Sequence, residues 1–153
     1  MAEIYAHYVR TSCATFELEA PGEEEFAGRL AQAQQQGFPW WVAELPDGRI
    51  AGYAYAGRYR PRPGYRFTVE DSVYIHPDCT GHGIGGALLE RIMELCRQAG
   101  AHQMVAVIGD SQNMASIWLH ERFGFTRVGV LREVGFKHER WVDSVLMQKG
   151  LGG

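Results

Sequence analysis

Between Pro21 and Gly37, Phe26, Leu30 and Ala33 recur at helical spacing. Glu23, Glu24 and Glu25 stand in the first turn, where a helix dipole favours anions, so this segment is predicted as an amphipathic helix. The next stretch, WWVAELPDGRIAGYAYAG, predicts two strands joined by a tight antiparallel turn at Pro46-Asp47-Gly48. FTVEDSVYI alternates as a further strand, with Glu70, Ser72 and Tyr74 on one face and Val69, Asp71, Val73 and Ile75 on the other. Leu88, Ile92, Leu95, Cys96 and Ala99 then mark one face of a helix that Gly100 is placed to end. MVAVI is apolar throughout, as in a strand inside a sheet. DSQNMASIWLHERFG predicts a second late helix, with capping residues in front and Gly124 behind. Strands at about 126–134 and 142–148 complete the chain. The order of elements predicts a mixed α/β (α+β) sheet.

Composition narrows the function classes. A length of 153 residues suits one domain with one core, spanning 1–153. The formal net charge of −3 argues against a nucleic-acid partner. No apolar run approaches the roughly 20 residues that span a bilayer. MAEIYAHYV lacks the basic start and apolar block of a signal peptide, so a cytoplasmic protein without a membrane partner is expected. Cys13, Cys79 and Cys96 show no CxxC spacing, and no two histidines fall at i, i+4 on a helix. Neither a disulfide frame nor a metal is expected.

The stretch CTGHGIGGALLE places four glycines within six residues at the entry to a helix. Three readings compete: a loop that only turns the chain, a dinucleotide fingerprint, and a diphosphate cradle for another coenzyme. Gly81, Gly83 and Gly86 satisfy G-x-G-x-x-G, and Asp110 follows the next strand. Five residues, however, separate the preceding strand from the first glycine, where the fingerprint wants none. The third reading needs one strand, one loop and one helix, whose free N–H groups receive phosphate without a lysine.

At this point the loop resembles the acetyl-CoA loop of the GNAT N-acetyltransferase superfamily, R/Q-x-x-G-x-G/A, through Thr80-Gly81-His82-Gly83-Ile84-Gly85. Thr80 replaces the usual Arg or Gln, which weakens one phosphate contact. GYAYAGRYRPRPGYRFTVEDSVYI, QMVAVIGDSQNMASIWLHERFGF and GFKHERWVDSVLMQ are similar to the phosphinothricin and methionine sulfoximine N-acetyltransferase branch. The resemblance implies a GNAT fold, acetyl-CoA as cosubstrate, a small amine acceptor such as phosphinothricin or methionine sulfoximine or sulfone, and a homodimer. A coenzyme-binding module without catalysis, or an enzyme for a different amine, are the alternatives. Family members begin with a strand ahead of the helix that IYAHYVRTSCATF resembles. Here three residues precede that segment, so either the start is truncated or the protein does without the strand, which leaves the edge of WWVAEL exposed.

The resemblance also assigns roles. Glu70 is the candidate general base, with a solvated strand glutamate as the alternative. Val73, Tyr74 and Ile75 are expected beside the pantetheine, and Gly86 with the loop residues beside the diphosphate. Asn113 and Ser116 match the coenzyme-contacting N-x-x-S, although helix capping would explain Ser111 well and Asn113 less well. His120 stands where many relatives place the group that protonates the departing thiolate, against a structural helix histidine. Arg60 and Arg62, with Tyr65 and His138, match positions at the acceptor pocket, where guanidinium forks suit carboxylate or phosphinate groups. A solvated loop is their alternative.

Overall fold

A computed structural model describes residues 1–152. Helices α1 (Ala2–Thr11) and α2 (Glu23–Gln35) precede strands β1 (Trp40–Glu44), β2 (Ile50–Arg58) and β3 (Thr68–Ile75). Helix α3 (Ile84–Gln98), strand β4 (Gln103–Gly109), helix α4 (Met114–Arg122) and strands β5 (Thr126–Lys137) and β6 (Arg140–Gly150) follow. One six-stranded sheet takes the order β1-β2-β3-β4-β6-β5. Every neighbouring pair is antiparallel except β3–β4, and α3 is the crossover a parallel pair requires.

The alternation of β3 decides what each face buries. Val69 joins Leu88, Leu89, Ile92 and Cys96 of α3 and Ile117 of α4 in the larger core cluster. Tyr74 points the other way, into a second cluster with Ile4, Tyr5, Val9, Phe26 and Tyr53 beneath α1 and α2. That cluster is mostly aromatic, and Trp40 stacks on Tyr55 at 4.2 Å between centroids. Along α3, Leu88, Ile92 and Cys96 are buried as expected and Leu89 is buried beside them, while Ala99, the C-cap, is exposed, so the apolar stripe is wider at its start and stops a turn earlier.

Both ends of the sheet carry features of the expected pattern and one surprise. β1 pairs with β2 alone and forms one edge, where the Arg91 guanidinium stacks 4.7 Å above Trp41. The final hairpin runs further than predicted, to Lys137 and Arg140. Its two-residue turn, His138-Glu139, has φ of 52° and 61°, the left-handed pair that a tight hairpin needs and that side chains other than glycine or asparagine rarely signal.

Over the end of β4 lies the segment that follows α1. A Cβ built on Gly109 would sit 1.9 Å from the Cys13 carbonyl oxygen, so only glycine fits beneath that backbone. Lys137, buried, donates from Nζ to the Thr15 carbonyl at 2.7 Å and fastens the same segment to β5. Gly109→Ala should therefore lower stability by about 1–3 kcal/mol or more, because backbone must move. Gly85→Ala, whose Cβ meets Leu119 at an ordinary 3.5 Å, should cost less. Urea unfolding of both variants checks the contrast, and equal losses would contradict it.

Candidate active site

Beyond Glu70 and Val105 no further residue pair joins β3 to β4. Residues Asp71 to Ile75 stay with β2, while Ala106 to Gly109 turn toward β6. The gap between the parted strands is a cavity of about 420 Å³. Its walls are Asp71–Ile75, Ala106–Gly109, the glycine loop and the first turns of α3 and α4. Facing strand edges without partners leave backbone N–H and C=O groups that need an extended polar guest.

The glycine loop closes one end. Gly81 and Gly83 hold φ of +79° and +78°, and a Cβ on either would meet nothing within 4 Å. Gly83 is the N-cap of α3 and no side chain caps it, so the first N–H groups of the helix, at Ile84, Gly85 and Gly86, are left for a ligand. Gly86 lines the cavity yet has a packing reason of its own. Its Cβ would lie 2.9 Å from the Phe123 ring, so the glycine lets α3 approach α4. Thr80, Gly81, Gly83, Ile84 and Gly85 line the cavity as expected, but His82 is exposed and does not. Arg122 is the one Arg or Lys among the described lining residues, a positive charge that no motif marks in the sequence.

At the other wall, α4 starts with Asn113, whose Oδ1 accepts from the Ser116 N–H at 3.3 Å. This reverses the expected capping: Asn113 caps the helix, and Ser111 instead donates to Asp143 Oδ2 at 2.9 Å. The exchange follows from geometry, since Ser111 lies three residues before the helix begins and cannot reach its first N–H groups. Both Asn113 and Ser116 line the cavity.

His120 lines it too, but neither ring nitrogen is free. Nδ1 lies 2.7 Å from the Ser116 carbonyl oxygen and Nε2 lies 2.8 Å from Asp71 Oδ2. Burial opposes a charge on the ring. The Asp71 carboxylate, assisted by the Ser116 carbonyl, outweighs it and holds the imidazolium above its ordinary range. Asp71 is the only carboxylate in the larger buried face of β3, and its role was not anticipated.

Glu70 stands at the last paired position, where the strands begin to part. Its side chain lies on the opposite face from Asp71, near Tyr55 and Ser72. Burial and then the Asp71 charge raise its pKa above the usual carboxylate value, and Arg60 pulls it part of the way back. Val73, Tyr74 and Ile75 line the cavity as expected, although the Tyr74 ring turns into the aromatic cluster.

The expected acceptor residues are not gathered at one place. Arg60 and Arg62 wall a second cavity of about 460 Å³ with Arg58 and Arg66, at the C-terminal end of α3. Tyr65 is 45% exposed, packs edge-on against Tyr59 and lines neither cavity. His138 sits in the exposed hairpin turn and lines neither. Among the described residues no group of three His, Cys, Asp or Glu side chains is placed to hold a metal.

Comparison with known proteins places this geometry. The pattern of the acetyltransferase (GNAT) domain matches residues 1–146. A phosphinothricin N-acetyltransferase of Alcaligenes faecalis is 51% identical over 148 residues, covering 97% of this chain and 75% of that protein. The L-methionine sulfoximine/L-methionine sulfone acetyltransferase of Salmonella typhimurium is 40% identical over 97% of this chain and 85% of its own length. The crystal structure of a GNAT superfamily phosphinothricin acetyltransferase from Sinorhizobium meliloti, in complex with AcCoA, superposes with a TM-score of 0.95 at 43% identity, over 99% of this chain and 81% of that one. With the domain pattern, the sequence identity and the superposed fold together, the chain belongs to the GNAT family of acetyltransferases.

Proposed function

We propose that this acetyl-CoA-dependent N-acetyltransferase acts on the α-amino group of a small amino-acid-like acceptor, of the phosphinothricin or methionine sulfoximine/sulfone type, as one catalytic domain. The observation that carries the reading is the cavity between β3 and β4, with a helix N-terminus at one end and, just outside its wall where the strands begin to part, a carboxylate of raised pKa. From Ile75 to Asp71 the strand rises about 13 Å. An acyl-CoA whose diphosphate lies on the α3 N-terminus therefore brings its thioester to the level of Glu70, which stands beside the cavity wall rather than in it. The residues present suit that guest: glycines that let phosphate approach, unpaired strand edges for the amides of the arm, and no lysine required.

Glu70 serves as the base. A protonated amine cannot attack a thioester, so its proton must pass to a neighbouring group, directly or through one water. A raised pKa makes Glu70 a better proton acceptor than an ordinary carboxylate. Backbone N–H groups of the unpaired β3 edge are placed to polarise the thioester carbonyl. His120 has no free nitrogen to give a proton to the departing sulfur, so it is best placed as part of the cavity wall.

Arg60 and Arg62 grip the anionic group of the acceptor, supported by the four arginines of the second cavity and by the influence of Arg60 on Glu70. Tyr65 and His138 keep a place in this reading only if the acceptor spans the outer rim. A homodimer is supported by the exposed apolar residues Val128, Val134, Phe136 and Trp141 on β5 and β6, at the second edge of the sheet. A cytoplasmic setting fits three unpaired cysteines, and no described helix is long and apolar enough to cross a membrane.

Two outcomes follow. Glu70→Gln should lower kcat at neutral pH by about 10²–10⁴-fold and leave acetyl-CoA binding nearly intact, with partial recovery at higher pH where more amine is neutral. Steady-state thiol release across pH checks this, and parental activity at pH 7 would return Glu70 to a solvated strand position. Arg60→Ala should move the acid limb of kcat/KM to higher pH, because the charge that lowers the Glu70 pKa is gone. Arg62→Ala should raise the acceptor KM without moving that limb. Identical pH profiles for the two variants would contradict the assignment.

A further inference from the structure

The Asp71–His120 pair lies inside the cleft, and no step above uses its proton. A carbonyl oxygen can only accept, so the 2.7 Å contact with Ser116 places hydrogen on Nδ1. Nε2 is 2.8 Å from Asp71 Oδ2, and two lone pairs do not face each other at that distance. A second proton therefore lies between ring and carboxylate. The side chains are 5% and 1% exposed, so water does not share the contact. Asp71 Oδ1 is left buried with no partner, although Asp71 lines the cleft. Such an oxygen asks for a donor, and the arm of an acyl-CoA carries amide N–H groups.

We propose that Asp71 is a coenzyme-contacting and positioning residue: the proton it shares with His120 fastens α4 to β3 across the cleft, and its free Oδ1 accepts a hydrogen bond from an amide N–H of the acyl-CoA arm. The inference rests on the acyl-CoA reading of the cleft. The ionisable groups that sense Asp71 are Glu70, on the same strand, and Cys96 of α3, whose thiol burial and then Asp71 push up to about 12. The ring of Phe125 meets the imidazole edge-on at 4.9 Å. As pH rises through the raised imidazolium value, the shared proton leaves and the carboxylate then faces a lone pair. The fastening is thus fully present below the ordinary histidine value and is lost as pH rises through the raised one. An asparagine at 71 would donate from its amide to a neutral ring and need no extra proton.

The test combines ring-nitrogen NMR of His120 with acetyl-CoA calorimetry on the intact protein, from about pH 6 to about pH 9. In the parent both ring nitrogens should stay protonated above the ordinary histidine range, and the acetyl-CoA Kd should rise on the alkaline side. Asp71→Asn should give a neutral ring protonated on Nδ1 only, with a Kd about tenfold higher at neutral pH and no alkaline step. A parent ring that titrates as an ordinary histidine overturns the inference without any variant. So does Asp71→Asn binding with the affinity and pH profile of a parent that itself binds acetyl-CoA. A parent that does not bind acetyl-CoA overturns the reading of the cleft, and this inference with it.

Discussion

The parting of β3 from β4 is the constraint on which the site depends. Two strands that pair in parallel for three residues are then drawn apart because each keeps a second partner, β2 on one side and β6 on the other. Buried strand edges without partners are costly, so the opening needs both walls held apart and a guest that can hydrogen-bond along them. Helices α3 and α4 hold the walls, and they can do so because Gly86 lets α3 approach Phe123 closely. The same close approach leaves the bare N-terminus of α3 pointing along the opening. Close helix packing at Gly86 and the bare helix N-terminus after Gly83 thus come from one run of glycines.

Where the strands part, two adjacent carboxylates meet opposite fates. The pleat sends Asp71 into the helix-covered face, where it finds His120, and sends Glu70 to the face of α1 and α2. One is neutralised by a cation, and the other feels both burial and its neighbour's charge. The charge that adds to the effect of burial on the Glu70 pKa is itself fixed in place by a histidine one strand and one helix away.

Much of this was legible in the residues. The period of 21–37 and of the segment after Gly83 marked α2 and α3, and the strict alternation of FTVEDSVYI placed Glu70 and Asp71 on opposite faces. That same alternation set a carboxylate in a row of Val69, Val73 and Ile75, a signal of a buried partner that pattern alone could not name, since His120 is 49 residues away. The capping of α4 was misjudged because three of the four residues Asp110, Ser111, Gln112 and Asn113 suit a turn or cap, and only the backbone shows which is in reach. The His138-Glu139 turn was hidden because it adopts positive φ without glycine or asparagine. Arg60 and Arg62 were correctly read as basic positions in a proline-limited loop, but where such a loop turns is set by its neighbours, and here it walls a different cavity.

Amide hydrogen exchange with and without acetyl-CoA tests the central claim most directly. The account predicts new protection along 71–75, 81–87 and 106–109, the two unpaired strand edges and the helix entry, with the edge strand β1 unchanged. Protection that falls instead on the arginine loop at 58–67, with none along the parted strands, would contradict it.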